Sequence, residues 1–140
     1  MAEFSKKLVA VLNEKIEPGV VMNALAHMIV GLGASVENKS ELRLTNYEDA
    51  DGNAHANVSE IPFMVLSARN SNQLRTLRTA LIENKIHFVD FTNTMTVGTY
   101  QEQIERSKQT KEADLEYYGI AIFGDWEKVS ELTKKFSVWR

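Results

Sequence analysis

Lys7-Leu8-Val9-Ala10-Val11-Leu12 is a run with no polar side chain after its lysine. A half-exposed strand alternates polar and apolar residues, whereas one that is apolar at every position must be covered on both faces. The run therefore demands a layer above it and a layer below it, the arrangement of an α/β domain. The rest of the chain supplies those layers. Asn13 to Gly19 reads as a polar loop with Pro18-Gly19 at its end, and Val20 to Gly33 as a buried helix ended by Gly31 and Gly33. Phe63 to Leu66, His87 to Phe91 and Tyr117 to Phe123 repeat the short apolar pattern. Ser71 is read as the N-cap of a helix reaching Asn84, with Leu74, Leu77 and Leu81 on one face. Asp125 caps a last helix whose buried face carries Trp126, Val129, Leu132 and Phe136. Glu41 to Thr45 reads as a short strand, and Asp51-Gly52 as a turn between Tyr47 and His55. The expected fold is a single domain over 1–140, a three-layer α/β/α sandwich with a mixed four-stranded sheet.

Composition narrows the function classes. The 140 residues suit one domain, and 44% apolar residues suffice for a core. Lys plus Arg is 16 against 19 for Asp plus Glu, a formal net charge of −3, which argues against a strongly basic nucleic-acid binder. Cysteine is absent, so disulfides, thiolate metal sites and Cys nucleophiles are excluded. The N-terminal residues show no apolar signal region. The longest apolar stretch, Val20 to Leu32, falls short of the roughly 20 residues a spanning helix needs. These features predict a cytoplasmic protein that does not enter a membrane and needs no cofactor.

Three polar constellations stand out. Between Val20 and Leu32 the polar side chains are Asn23 and His27, four apart and so on one helix face. A helix otherwise apolar carries two polar groups where they meet partners or a cavity. Asp90-Phe91-Thr92-Asn93-Thr94 leaves the end of a strand with an acid, two hydroxyls and an amide, groups able to orient water or bind a polar substrate. Such residues are also ordinary turn formers. Asp49-Ala50-Asp51-Gly52-Asn53-Ala54-His55 spaces oxygen ligands as a calcium loop does and places Glu60 at the twelfth position. It has Ala54 where that loop needs glycine, so it reads as a hairpin without a metal. His87 lies in an apolar strand and reads as structural, and Arg75 with Arg78 as a solvated helix face. The stretch Tyr100 to Glu112, anchored by Tyr100 and Ile104, reads as a solvent-exposed helical insert.

The order of these segments resembles the type-II peptidyl-tRNA hydrolase fold. Lys7 to Val11, Pro18-Gly19 and Asn23-Ala24-Leu25-Ala26-His27 correspond to its opening. Asp90 at the end of its strand and Tyr118 to Gly124 before a helix correspond to its second half. The chain is still more similar to an uncharacterised bacterial family of unknown function on the same fold, which shares Asn23 to His27, Asp49 to Gly52, Val89 to Thr92 and Gly119 to Gly124. The resemblance implies a homodimer, with His27 and Asp90 as site residues. The departures are chemical. Pro18 and Val20 stand where the hydrolases carry two loop lysines, Ala24 where they carry glutamine, and Phe91-Thr92-Asn93-Thr94 plus the insert where they carry an arginine–threonine loop.

Three readings follow. In the first, the domain binds a small molecule or acts on one. His27 is then the proton carrier, Asp90 its orienter or a base, and Asn23, Thr92 and Thr94 the ligand-binding groups. In the second, it is a peptidyl-tRNA hydrolase whose cation has moved, for instance to Lys15. In the third, it is a non-catalytic module whose polar stripe packs in a dimer. An open pocket beside the stripe favours the first, a basic rim the second, and a covered stripe the third.

Overall fold

The computed structural model describes residues 4–140. Its elements are β1 (Lys6–Asn13), α1 (Pro18–Ser35), β2 (Leu44–Glu48), β3 (Ala54–Ser59), β4 (Phe63–Ala68) and α2 (Ser71–Glu83). They continue with β5 (His87–Thr92), α3 (Tyr100–Lys108), β6 (Tyr117–Asp125), α4 (Trp126–Thr133) and β7 (Ser137–Val138). The main sheet has the order β5-β6-β1-β4-β7. β1 runs parallel to β4 and antiparallel to β6, while β5 and β7 add antiparallel edges. The sheet thus has five strands rather than the expected four. The fifth, β7, is two residues long, too short for an apolar alternation to show in the sequence. β2 and β3 pair only with each other, with a register shift between Thr45 and Tyr47.

β1 is the centre strand, and its alternation splits the core in two. Leu8, Ala10 and Leu12 point to the layer of α1, where they meet Val21, Ala24, Met28 and Leu32. Val9 and Val11 point to the layer of α2 and α4, where they meet Leu74, Leu77, Leu81 and Val129. One face therefore carries two helices and the other carries one. Five strands about 4.8 Å apart span about 19 Å, roughly twice the width of a helix. α1 lies over β6 and β5, and leaves β4 and β7 to the flanking Val65 and Trp139.

Four local expectations change. The strand expected over Glu41 to Thr45 lies at Leu44–Glu48, and Lys39–Leu42 forms a 3-10 turn before it. α1 does not stop at Gly31 or Gly33 but continues to Ser35, because the Lys39 ammonium donates to the carbonyls of Gly33, Ala34 and Val36. A lysine tip thus does what a C-terminal glycine turn usually does. Nor is α1 a buried helix all round. Val20, Met22 and Val30 are 42%, 60% and 73% exposed. At 18 residues with mean hydropathy 1.3, it is long and apolar enough to cross a membrane by those two criteria, although its inner face is docked on the sheet. The cap of α2 is Asn70, whose side chain accepts from the Gln73 amide, rather than Ser71. Asp125 does cap α4. Thr99 and Glu102 close a reciprocal capping box on α3.

Gly119 on β6 marks the tightest approach between strand and helix. A Cβ there would lie 2.8 Å from Leu12 Cδ2, 3.1 Å from Met28 Cε and 3.2 Å from the Val11 carbonyl oxygen. The backbone oxygen cannot move without breaking the β1–β6 ladder. Gly119→Ala is therefore expected to lower stability by about 1–3 kcal/mol, read as a fall in urea midpoint with an unchanged slope.

Candidate functional site

Asn23 and His27 sit one turn apart on the outer side of α1, and both are exposed. The His27 ring lies 6.0 Å from Phe91, which lies 6.0 Å from Tyr118, so the imidazole covers an aromatic pair at the sheet surface. Burial pushes the Tyr118 hydroxyl above its ordinary value. Around the two polar groups the helix shows Val20, Met22, Ala26 and Val30 to solvent. No Asp, Glu, Lys or Arg occurs anywhere in α1.

Asp90 does not join this stripe. Along β5, Val89 and Phe91 face α1, whereas Phe88 and Asp90 face α2. The Asp90 carboxylate accepts from Arg78 Nε at 2.8 Å, and the guanidinium lies over the Phe88 ring. Strand alternation thus places His27 and Asp90 on opposite faces of the sheet, and Asp90 orients Arg78 instead of His27. Arg78 is correspondingly half-buried rather than a freely solvated side chain.

Thr92 and Thr94 leave the stripe as well. Both are buried, and their hydroxyl oxygens are 2.8 Å apart. Ser107 donates to Thr94 Oγ1 at 2.7 Å, and Arg106 donates to the Thr94 carbonyl. This chain of hydroxyls fastens α3 to the end of β5. The polar residues that looked like ligand groups anchor the insert instead.

The 49–55 loop forms its hairpin around Asp49. The carboxylate accepts from the Asp51 and Asn53 amides and meets His55 Nε2 at 2.8 Å. The His55 contact, then the backbone bonds, hold Asp49 below the usual carboxylate range. Among the described residues no group of three or more His, Asp or Glu gathers as a metal site.

Two clusters had no signal in the sequence, because their members are distant in the chain. Arg75 donates to the Glu112 carboxylate and to the Leu115 carbonyl, while its guanidinium covers the Tyr117 ring. Tyr117 donates its hydroxyl to Glu112 at 2.7 Å. Burial, then the bond to Glu112, push the Tyr117 phenol up to about 12. The same bond holds Glu112 below its ordinary value. The second cluster lines a cleft of about 400 Å³ at the end of the sheet where β1 begins. There His87 Nε2 is 2.8 Å from Ser35 Oγ, which also lies 3.1 Å from the Leu32 carbonyl. His87 is exposed at the mouth of its strand, not enclosed by apolar neighbours.

The Tyr117 pairing has a pH signature. A raised pKa means that the folded state holds the phenolic proton more tightly than the unfolded chain, so this stability is complete below pH 10 and lost as pH rises toward about 12. Tyr117→Phe is expected to lower the urea midpoint at pH 8 and to flatten its fall between pH 10 and 12. Equal alkaline slopes in the two proteins would remove the buried phenol as the cause.

Comparison with known proteins adds family and fold. No curated protein matches the chain. A solved structure of the protein of unknown function Atu0240, from Agrobacterium tumefaciens strain C58, is similar with a TM-score of 0.83. The match covers 98% of this chain and 99% of that one at 20% identity, so what the two share is the fold. The family profile described as protein of unknown function DUF2000 matches residues 6–140, and the chain belongs to that family.

Proposed function

We propose that the domain works as a homodimeric interaction module whose docking surface is the outer face of α1. The observation that carries this reading is an 18-residue helix with no charged side chain, only 22% of it buried in its own chain. A helix on the surface of a monomer normally turns a charged face to water. This one offers Val20, Met22, Ala26 and Val30 around Asn23 and His27, an apolar patch with two hydrogen-bonding groups, the composition of an interface centre.

A second copy is the partner that fits. In a two-fold interface each surface meets itself, so a face without charge sets no like charges against each other. Ala26 stands at the midpoint of α1, where two crossing helices approach most closely and a small side chain is needed. α1 is about 27 Å long and about 10 Å wide, a footprint of roughly 270 Å². A stable dimer buries about 800 Å² per partner, so flanking surface must join in. On this reading that surface is assigned to the β2–β3 hairpin, which leaves the chain between Leu42 and Ile61 and exposes Leu44, Tyr47 and Val58 by half or more.

The other readings have less behind them. A catalytic His27–Asp90 pair would need both groups on one face. The hydrolase reading rests on the resemblance to the type-II peptidyl-tRNA hydrolase scaffold, and an exposed Val20 stands where that family has its lysine.

Light scattering after size exclusion should give twice the 15.8 kDa of one chain. Ala26→Arg and Val30→Glu should each yield monomer, with a thermal midpoint within a few degrees of the dissociated parent. A wild-type protein that stays monomeric at about 100 μM, where even weak specific pairs with Kd near 10 μM associate, would sink this reading.

A further inference from the structure

The cleft beside Ser35 and His87 lies apart from the outer face of α1 and crosses the end of the sheet. Its two walls come from opposite layers, and they differ in charge. The wall at the end of α1 and the following turn carries Glu37 and Glu41. The wall at the α2–β5 turn and α4 carries Lys85 and Lys128. Between them Val36, Ile86 and Phe123 form a floor of which only a small edge of each side chain is exposed. Lys6 also lines the cleft and sits 3.7 Å from Glu41, and Asp125 is occupied as the cap of α4 through the Lys128 amide. Among the described residues Glu37, Lys85 and Lys128 make no ion pair.

Lys85 carries a second mark. Its φ is 55°, the left-handed conformation that follows a helix end and favours glycine or asparagine. The turn is closed by the Lys85 amide on the Ile82 carbonyl. A lysine here strains the backbone, and among the described residues its ammonium has no hydrogen-bond or ion-pair partner that would offset the strain. Strain kept at a cleft is a pointer to use.

From this bipolar arrangement we propose that the cleft binds the zwitterionic head of a free amino acid. The carboxylate of the ligand faces Lys85 and Lys128. Its ammonium faces Glu37 and the free edge of Glu41, and its side chain passes over the exposed edges of Val36, Ile86 and Phe123 toward the open mouth of the cleft. The Ser35 and His87 pair adds hydrogen-bonding groups on the floor. A volume of about 400 Å³ is in the range of small-molecule sites and accommodates one such molecule. Opposite charges on facing walls select a zwitterion over a simple anion, because a ligand with one charge leaves the other wall unpaired.

Amide NMR titration with L-leucine, N-acetyl-L-leucine and L-leucinamide tests each end of the ligand. L-Leucine is expected to shift the amides of 84–87 and 123–125, and each singly charged derivative to bind about tenfold more weakly. Lys85→Gly is expected to raise the thermal midpoint by relieving the strained φ and at the same time to weaken L-leucine about fivefold or more. Glu37→Gln should weaken L-leucine while leaving N-acetyl-L-leucine unchanged. Absence of shifts up to about 10 mM L-leucine overturns the proposal. So does equal binding of the N-acetyl derivative, or a Lys85→Gly protein that gains stability and keeps its affinity.

Discussion

The burial of β1 on both faces is the constraint from which the rest follows. Leu8 to Asn13 are all buried, and no residue in that span could be turned to water without emptying one core or the other. Two cores need two covers, which makes the fold three-layered. The covers are unequal: α2 and α4 share one face, while α1 alone serves the other. Unequal cover accounts for the apolar inner side of α1, and its outer side carries no charge either. Its inner residues, Val21, Ala24, Met28 and Leu32, close the core, while Val20, Met22 and Val30 stay exposed.

The sequence carried the layers and four of the strands because each is a local apolar pattern. Lys7 to Leu12, Phe63 to Leu66, His87 to Phe91 and Tyr117 to Phe123 all lie in strands of the main sheet. β7 was illegible, since Ser137 and Val138 are recruited by pairing with Ser67 and Leu66 and not by any pattern of their own. The end of α1 differs from its local signals for a related reason. Gly31 and Gly33 are local stop signals, but Lys39 reaches back to satisfy the last carbonyls, and tertiary contact overrode propensity. Asn70 rather than Ser71 as a cap is an error of one residue between two equally suitable side chains.

The candidate site was legible only as single residues. Asn23 and His27 share a face because helical spacing fixes that much. Asp90 could not be added to them by proximity in the fold, because one residue along a strand exchanges one face for the other. Phe91 meets His27, so Asp90 must meet α2. The same alternation carried Asp90 to Arg78. Thr92 and Thr94 offer hydroxyls at a strand end, and those hydroxyls are used, but in a buried chain with Ser107 that holds α3. A polar residue at a strand end is as well explained by the need to satisfy a neighbouring element as by a ligand, and only the partner atom decides between them.

α1 joins the two surfaces assigned above. Its outer face is free of charge, whereas its final residue, Ser35, enters the cleft with the adjoining Val36 and Glu37. The Lys39 ammonium fixes that end by bonding three carbonyls at once. A helix held rigidly at its C-terminus and along its inner face cannot bend toward a partner, so an approaching surface must conform to it. This favours association through preformed shape over association through rearrangement, and it keeps the geometry of the cleft wall independent of whether α1 is covered.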